Sequence, residues 1–491
     1  MKIFPLHATD FYKSGHVFQY PQGTEYVYSN WTCRSDRWAH VLLDYDHKVV
    51  FFGLQGICQW LLIDLWNEGF FSRPKDEVVA YYKRRMDTCL GPGAVDVQHI
   101  ADLHDLGYLP VKIKALPEGS RVDIRVPMFT IINTDPKFFW VTNYIETQLS
   151  AELWKAMTSA TTAHEYRRLF DFYANETGID KSFVQWQGHD FSFRGMSGIT
   201  DASQSGAGHL LSFTGTDTIA AIDYLENYYG GEGLIGGSVP ATEHSVMCMG
   251  GEGGEIDTFK RLITETYPAG IVSIVSDTWD FWQVLTEYAV TLKPEILARE
   301  GKVVFRPDSG DPVKIIVGDT DAQVGSPAYK GAVECLWEVF GGTVTSTGYK
   351  TLDSHVGLIY GDSISLERAQ AILKGLAMKG FSSANIVFGI GSYTYQGVTR
   401  DTFGTAIKAT WGQVNGEERE LFKDPKTDNG IKKSACGLIR MEKENGHYVM
   451  YDHQTWENEG QGLLATVFDN GAIIRFQTLA DIREQMHGGV E

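Results

Sequence analysis

Short apolar runs that each end in a small polar cluster recur along the middle of the chain. An apolar run of about four residues is typical of a buried parallel strand. Barrel and open α/β enzymes place their chemistry at the carboxyl ends of such strands. The pattern therefore predicts an enzyme whose active site is built from these clusters. The six segments are GTDT (215–218), SVPATEHS (238–245), SIVSDTWD (273–280), VVFRPDSGDP (303–312), GLIYGDSIS (357–365) and NIVFGIGS (385–392).

Helical patterns separate these runs. Several of the polar clusters recur roughly 30 residues apart, which is the length of one βαβ unit. This alternation predicts an α/β fold with a (β/α) barrel-like domain over residues 181–394. The predicted helices are TIAAIDYLENYY (218–229), IDTFKRLITETY (256–267), DFWQVLTEY (280–288), AYKGAVECLWEVF (328–340) and SLERAQAILKGLAM (365–378).

Both ends of the chain follow a different pattern. Asn-Gly pairs at 415–416, 445–446 and 470–471 each separate two possible strands, and Asn-Gly is a strong hairpin signal. We expect residues 1–180 and 395–491 to form one discontinuous α+β domain. Its other predicted elements are strands at 26–34 and 48–55, a helix at 59–71, two antiparallel strands around a Pro-Glu-Gly turn in 111–132, a helix at 144–173 and a final helix at 479–486.

Composition narrows the class of protein. The chain has 491 residues, 43% of them hydrophobic, which is enough for a sizeable core. Its net charge of −19 argues against a nucleic-acid partner, although a small basic pocket for a phosphorylated substrate remains possible. We expect neither a signal peptide nor a membrane span, because no apolar run is long enough.

The six cysteines are scattered, with no CxxC pair. They stand at positions 33, 58, 89, 248, 335 and 436. We expect reduced thiols in a cytoplasmic protein (in the host cytoplasm if the source is viral), without a disulfide framework or a zinc site.

The polar clusters supply the catalytic candidates His244, Asp277, Arg306 and Asp308. Arg306 follows a buried strand directly, where an unpaired charge is costly, so a plain surface turn explains it poorly. The other candidates keep a structural alternative. His244 could be an ordinary loop histidine, and Asp277 could cap a helix, as could Asp217.

Basic and aromatic residues near these clusters suit a phosphorylated substrate with a flat ring. Arg194 and Arg400 lie close to glycines, and arginine forks together with glycine N–H groups commonly bind phosphate. Scattered arginines are otherwise usually surface residues. Phe191, Phe193 and Tyr12 could stack on a ring or could fill the core.

Ten ordered motifs closely resemble the nicotinamide phosphoribosyltransferases, which are dimeric type II phosphoribosyltransferases of the nicotinate phosphoribosyltransferase-like family. The resemblance covers nearly the whole chain. It implies an α/β barrel with a second domain built from both chain ends. The motifs are ATDFYK (8–13), INTDP (132–136), TNYIET (142–147), HDFSFRG (189–195), GTDT, SVPATEHS, VSDTWD, RPDSG, GDS and LFKDP (421–425).

The resemblance also implies an activity, that of a pentosyltransferase. Nicotinamide and 5-phosphoribosyl 1-pyrophosphate would give nicotinamide mononucleotide and pyrophosphate with Mg²⁺, as a step of NAD salvage. ATP would act as an energy-coupling co-substrate by phosphorylating His244. The resemblance further implies a homodimer with active sites at the subunit interface. It leaves the metal ligands unassigned.

Residue roles follow from the resemblance by position. Phe191 and Tyr12 would sandwich the pyridine ring, with Tyr12 supplied by the other subunit. Asp217 would accept a hydrogen bond from the carboxamide and disfavour the carboxylate of nicotinate. Arg306 and Asp308 would contact the nucleotide, Asp308 through its ribose hydroxyls.

The remaining candidates surround the ribose and the phosphates. Two departures from the family pattern are Ser363 and the turn GIGSY (389–393), which stand where glycines are usual. An apparent insertion shifts the loop after FKDP, where Lys432 is the matching lysine. The other candidates are Gly361, Asp362, Gly391 and Ser392 at the ribose and phosphate end, Arg194, His244 and Arg400 on phosphates, Arg34, Lys408 and Lys423 at the subunit boundary, and Ser238 and Ser273 as further substrate contacts.

Three alternatives stay open at this point. Nicotinate phosphoribosyltransferase shares the fold and the chemistry, and Asp217 is the feature that argues against it. A Mg²⁺-dependent barrel lyase acting on a phosphorylated sugar acid would need a carboxylate triad or a Schiff-base lysine at the strand ends. A binding protein of the same fold would bind nucleotide without turnover.

Overall fold

Two larger β-sheets organise the chain, one antiparallel and one parallel. The computed structural model describes residues 3–422 and 435–487. Its strands are β1 (Thr24–Cys33), β2 (Lys48–Val50), β3 (Val111–Ala115), β4 (Arg121–Asp123), β5 (Pro127–Asn133), β6 (Gly188–Asp190), β7 (Gly215–Thr216), β8 (Ala269–Val275), β9 (Glu300–Arg306), β10 (Gly342–Val344), β11 (Lys350–Leu352), β12 (Val356–Tyr360), β13 (Val387–Ile390), β14 (Thr405–Val414), β15 (Glu417–Glu420), β16 (Leu438–Glu444), β17 (His447–Gln454), β18 (Ala465–Asp469) and β19 (Ala472–Ile473).

Helices fill the connections. The α-helices are α1 (His16–Gln19), α2 (Leu54–Ile57), α3 (Lys75–Leu90), α4 (Gln98–Leu106), α5 (Val141–Tyr144), α6 (Glu146–Thr177), α7 (Lys181–Gln187), α8 (Ile199–His209), α9 (Ile219–Tyr229), α10 (His244–Met249), α11 (Glu255–Arg261), α12 (Phe281–Gln283), α13 (Ala289–Thr291), α14 (Lys293–Leu297), α15 (Pro312–Val317), α16 (Pro327–Lys330), α17 (Ala332–Phe340), α18 (Leu366–Met378), α19 (Ser392–Tyr395), α20 (Trp456–Gly460) and α21 (Leu479–His487). Turns of π-helix occur at Cys58–Leu65, Asn67–Phe71, Leu262–Thr266 and Val284–Tyr288, and turns of 3-10 helix at Pro5–His7, Phe11–Gly15, Pro136–Phe138, Phe193–Gly195, Glu252–Gly254, Ser383–Asn385 and Arg400–Thr402.

Both chain ends build the seven-stranded antiparallel sheet, whose order is β15-β14-β1-β5-β3-β18-β19. The three predicted Asn-Gly hairpins are confirmed. Each connects neighbouring antiparallel strands, and both residues of each turn have positive φ, for example +51° at Asn415 and +76° at Gly416. Those angles are what a two-residue type I′ turn requires. The predicted α+β part made from both chain ends is therefore confirmed as a fold.

The antiparallel pair predicted within residues 111–132 is present, but the Pro-Glu-Gly turn does not join its two strands directly. The segment forms three strands: β3 pairs with β5, while β4 between them pairs with β2. The turn at Glu118 leads into β4, and its carboxylate is bound at the start of α2. That carboxylate accepts hydrogen bonds from the N–H groups of Gly53 (2.9 Å) and Gln55 (2.6 Å) at the start of α2. Residues 48–55 are likewise strand only as far as Val50.

The middle of the chain forms the parallel sheet, in the order β7-β6-β13-β12-β9-β8. Its two edges are joined by the extended segment 237–242. The N–H of Thr216 donates to the Gly237 carbonyl (3.0 Å) on one side, and the N–H of Thr242 donates to the Ser273 carbonyl (3.0 Å) on the other. The ring closes in this way, which confirms the predicted barrel-like fold. The boundaries at residues 180 and 394 stay a prediction.

The long helix α6 lies between the two sheets. It packs against α8 of the barrel side and against β2 and β14 of the antiparallel side. It is accordingly buried along most of its central turns. Within the described ranges, no helix combines the length and the apolar character that a membrane crossing requires.

Candidate active site

An open cleft lies at the carboxyl ends of the parallel strands, with a volume of about 1560 Å³. This exceeds the roughly 300–1,000 Å³ of a site for one drug-sized ligand, so it has room for two small substrates. The structure brings nine of the predicted site residues together in its walls. They are Phe191, Arg194, Asp217, Arg306, Asp308, Gly361, Asp362, Gly391 and Ser392.

Backbone hydrogen bonds hold Phe191 and Asp217 on neighbouring strand ends. The N–H of Phe191 donates to the Ile390 carbonyl (3.0 Å), and the N–H of Asp217 donates to the Asp190 carbonyl (3.0 Å). The side chain of Asp190 in turn accepts from the N–H of Ser192 (2.9 Å), which fixes the bend after β6. An aromatic face and a carboxylate are therefore presented side by side.

Two donors hold Asp217 in its ionised form. Its Oδ1 accepts hydrogen bonds from His189 Nε2 (2.9 Å) and from Ser238 Oγ (2.6 Å). Burial opposes ionisation, but these hydrogen bonds outweigh it, so the pKa of Asp217 is lowered. Because a carboxylate only accepts, the Nε2 atom of His189 carries the proton in this contact. Asp217 is thus an acceptor at neutral pH.

Glycines let Phe191 lie against the barrel wall. A Cβ atom on Gly389 would stand 2.5 Å from the Phe191 ring, and one on Gly361 would stand 2.5 Å from Asp308 Oδ1. The His189 ring packs against the Phe191 ring, with centroids 4.7 Å apart. His189 and Gly389 were missed by sequence reasoning, although both belong to motifs it singled out.

A second group is centred on Asp277. Its Oδ1 contacts His244 Nε2 at 3.1 Å, and its Oδ2 accepts from the N–H of Asp308 at 2.9 Å. The Asp277 side chain is only 6% exposed, whereas that of His244 is 47% exposed. A buried carboxylate therefore orients an accessible imidazole and also fixes the backbone of a residue in the cleft.

Arg306 and Asp308 form an ion pair, with Nε and Oδ2 3.7 Å apart. The Arg306 guanidinium also donates to the Thr242 carbonyl, which anchors it to the segment that closes the ring. Burial raises the pKa of Asp308; Arg306 opposes that rise, while Asp277 and Asp362 add to it. The negative charge of the carboxylates at this end of the cleft therefore exceeds the positive charge of Arg306.

That surplus of negative charge suits a divalent cation. Mg²⁺ prefers one or two carboxylates together with substrate phosphates over a complete protein cage. Asp308 and Asp362 both line the cleft and could hold such a cation. In the described part of the chain, the cleft has no preformed group of three metal-ligating side chains. The donor set therefore fits a metal that arrives with the phosphates.

Two serines depart from the family's glycines. Ser392 starts α19, and a Cβ atom on Gly195 would lie only 2.0 Å from its hydroxyl. Ser363 has φ +48°, a left-handed conformation that glycine adopts at lower cost. Both serines line the cleft.

The other candidates lie outside the lining of the cleft. Ser238 donates to Asp217 and Asp277 accepts from the N–H of Asp308, so both contact lining residues directly, whereas His244 contacts Asp277. Ser273 is buried in β8, where its backbone holds the closing segment. The rest are Tyr12, 62% exposed in the turn Phe11–Gly15; Arg34, whose Nε donates to the Gly404 carbonyl; Arg400, beside Asp401; Lys408, opposite Asn30 in β14; and Lys423 and Lys432, which fall outside the described residues.

The fold and the cleft at its strand ends define an α/β barrel enzyme. The sequence profile of the nicotinate phosphoribosyltransferase (NAPRTase) family matches residues 186–472. A second profile, that of the nicotinamide phosphoribosyltransferase N-terminal domain, matches residues 5–113. The chain belongs to the nicotinate phosphoribosyltransferase family.

Curated relatives match over most of their length. The chain is 64% identical to the nicotinamide phosphoribosyltransferase of Acinetobacter baylyi, over 99% of this chain and 97% of the relative. It is 34% identical to that of Mycoplasma pneumoniae, over 86% and 92%, and 32% identical to that of Xanthomonas campestris pv. campestris, over 97% and 97%.

Solved structures share the fold at low sequence identity. The nicotinate-nucleotide pyrophosphorylase of Pyrococcus furiosus aligns with a TM-score of 0.56 at 15% identity, over 98% of this chain and 94% of that one. Human nicotinic acid phosphoribosyltransferase aligns with a TM-score of 0.54 at 15% identity, over 97% and 92%. These likenesses establish the architecture alone.

Proposed function

We propose that this protein transfers the phosphoribosyl group of 5-phosphoribosyl 1-pyrophosphate to nicotinamide, giving nicotinamide mononucleotide and pyrophosphate in NAD salvage. The observation that carries the choice of substrate is the ionised Asp217, held by His189 and Ser238 beside Phe191. The 64% identity to a nicotinamide phosphoribosyltransferase supports the same activity.

The ring subsite selects an amide. Nicotinamide stacks on Phe191 and donates its carboxamide N–H to Asp217, which points its ring nitrogen at the ribose carbon. Nicotinate would bring a carboxylate to the same place, where two like charges repel. The site thus uses attraction for one ring and repulsion for the other.

The leaving group needs positive charge. The ring nitrogen forms a bond to the ribose carbon while the bond from that carbon to the pyrophosphate oxygen breaks. Arg194 and Arg306 line the cleft and can stabilise the charge that develops on pyrophosphate. Mg²⁺ would supply further neutralisation when bound, and Asp308 and Asp362 would hold it.

ATP coupling would use His244. Because Nε2 faces Asp277, Nδ1 is the nitrogen left to act as a nucleophile. It would attack the terminal phosphorus of ATP, forming an N–P bond as ADP departs with the bridging oxygen. The exposure of His244 and the burial of its partner support this role.

The active form would be a homodimer in the cytoplasm. Tyr12 is exposed and stands apart from the cleft lining of its own chain. Its place as the second ring-stacking residue then requires that it reach the cleft of a second subunit. Arg34 and Lys408 would lie near that boundary.

Product analysis tests the proposal. The purified protein is incubated with 5-phosphoribosyl 1-pyrophosphate and Mg²⁺, with nicotinamide and nicotinate in parallel, each with and without ATP. We expect nicotinamide mononucleotide as the dominant product. Nicotinate mononucleotide instead would keep the fold and mechanism but overturn the argument from Asp217. Absence of both products would overturn the proposed activity.

A further inference from the structure

Three metal-ligating side chains meet at one edge of the C-terminal strands, away from the cleft. They are Glu420 at the end of β15, Cys436 just before β16, and His453 in β17. One ligand atom from each lies within 4.8 Å of the others. The proposed reaction uses none of the three, so the cluster needs its own explanation.

The backbone fixes all three positions around one point. The N–H groups of Leu421 and Gly437 both donate to the Thr410 carbonyl, each at 2.8 Å. The N–H of His453 donates to the Cys436 carbonyl at 2.9 Å. Glu420 and Cys436 are therefore held through their chain neighbours at the Thr410 carbonyl, and His453 is held by Cys436 itself. These backbone hydrogen bonds preorganise a site.

Two backbone features bring the side chains unusually close. A Cβ atom on Gly437 would lie 2.6 Å from Glu420 Oε1 and 3.2 Å from the Cα of His453, so a larger residue would push the carboxylate away. His453 itself has φ +53°, in the left-handed region that non-glycine residues rarely adopt. Such a conformation persists where the surroundings enforce it, and it often marks a functional position.

The donor chemistry points to zinc. Cysteine, histidine and a carboxylate are the ligands that Zn²⁺ takes, whereas Mg²⁺ takes oxygen ligands. Bond lengths to tetrahedral zinc give a sulfur–oxygen separation of roughly 3.6 Å. The Cys436 Sγ and Glu420 Oε2 atoms are 3.6 Å apart.

The imidazole needs a small adjustment. His453 Nδ1 lies 2.8 Å from both Glu420 oxygens, a hydrogen-bond distance. Ligands on one zinc would stand about 3.4 Å apart, so this contact would open slightly on binding. Glu420 and His453 are exposed and can make that movement, while Cys436 is buried beside them.

We propose that Glu420, Cys436 and His453 form a Zn²⁺ site with three protein ligands and a fourth position open to water. The ordinary alternative is a histidine–glutamate ion pair next to an inert thiol. The cysteines are scattered in sequence, so spacing alone does not reveal the site. The inference does not depend on the proposed transferase activity.

Cobalt tests the site directly. The full-length protein is stripped of metal and titrated with Co²⁺, whose bonding to a thiolate gives a charge-transfer absorption in the near ultraviolet. We expect this band to saturate at one equivalent and to disappear when Zn²⁺ is added. A protein that shows no such band at millimolar Co²⁺ overturns the proposal.

Matched variants assign the ligands. Cys436→Ser should abolish the band and weaken Zn²⁺ binding at least about tenfold, and Glu420→Gln should weaken Zn²⁺ binding similarly. Cys89→Ser, at another free cysteine that is exposed, should leave both unchanged. Circular dichroism checks that each variant is folded. If Cys436→Ser is not folded, the test of the site rests on Glu420→Gln. Retention of the band and of full Zn²⁺ affinity in the folded ligand variants would refute the site.

Discussion

At the scale of single residues, we expect substrate preference to rest on the charge of Asp217. Asp217→Asn removes the repulsion of nicotinate and replaces a charge-assisted hydrogen bond. Such a bond contributes about 1.5–3 kcal/mol, so the ratio of kcat/KM for nicotinamide over nicotinate should fall roughly 10–100-fold. Steady-state kinetics with both substrates measure it. An unchanged ratio would remove Asp217 from the account of specificity.

His189 acts on the same preference through Asp217. It donates to the carboxylate at 2.9 Å and helps to lower the pKa of Asp217. His189→Phe should therefore raise that pKa, and the acid limb of the kcat/KM profile for nicotinamide should move to higher pH.

A conservative variant separates positioning from simple packing. His189→Gln can still offer an N–H donor to Asp217, so its acid limb should stay near that of the unmodified protein. If His189→Phe and His189→Gln shift the profile equally, then the hydrogen bond is not what His189 contributes.

We expect His244 to govern the proposed response to ATP. His244→Ala should abolish the increase in product formation that ATP gives, while the reaction without ATP continues at a reduced rate. His447→Ala is the matched control, because His447 is also exposed and also contacts an aspartate, Asp123 at 3.0 Å. Coupled assays of ATP consumption and product yield measure both. Full ATP enhancement in His244→Ala would refute the phosphohistidine role.

At the scale of elements, helix α11 begins with a buried acid. Glu255 is 1% exposed. Burial, together with Asp277, Asp280 and Glu252, raises its pKa from 4.5 to about 7. The folded state therefore binds this proton more tightly than the unfolded state does. Its contribution to stability is present below about pH 4.5 and is lost as the pH rises to about 7.

Glu255→Gln should remove this loss. The variant should unfold at about the same temperature as the unmodified protein near pH 4 and at a higher temperature above pH 7, by an amount equivalent to roughly 1–3 kcal/mol. Asp257→Asn, exposed in the same helix, should show no such trend. Thermal unfolding followed by circular dichroism across this pH range measures the difference in unfolding temperature between each variant and the unmodified protein. A constant difference at all pH values would contradict the prediction.

The elements that could be predicted from the sequence are those with a local cause. The Asn-Gly hairpins could be predicted, because two residues set the turn geometry by themselves. The closing segment 237–242 and the short strand β4 could not, since both depend on partners far along the chain. The pair of strands predicted around the Pro-Glu-Gly turn is present as β3 and β5, but the sequence did not predict that β4 lies between them.

The site divides along the same line. Arg306, Asp217 and Asp308 line the cleft, and this position could be predicted because the pattern of apolar runs indicates where each strand ends. The position of His189 could not, since it lies within a strand and its contact with Asp217 arises from strand pairing. Gly389 was missed because its value is the space it leaves for Phe191, which no spacing rule expresses.

At the scale of the whole molecule, each active site should need two subunits. Phe191 and Asp308 line the cleft of their own chain, while Tyr12 is exposed away from it. In a symmetric dimer with isologous contacts, Tyr12 of each chain would complete the other cleft. Tyr12→Ala and Asp308→Asn should then damage different halves of a site, and each variant alone should have little activity.

Mixing the two variants should restore activity. In a Tyr12→Ala/Asp308→Asn heterodimer, one site carries both changes and the other carries neither. If subunits associate at random, half of the dimers are mixed and half of their sites are intact, so activity should recover to about a quarter of the unmodified level. Phe191→Ala mixed with Asp308→Asn is the matched control. Both residues belong to the same cleft, so every mixed dimer has one defect per site and activity should stay low. Equal activity of the two mixtures would show that each chain completes its own site, because the recovery can arise only when Tyr12 crosses between subunits.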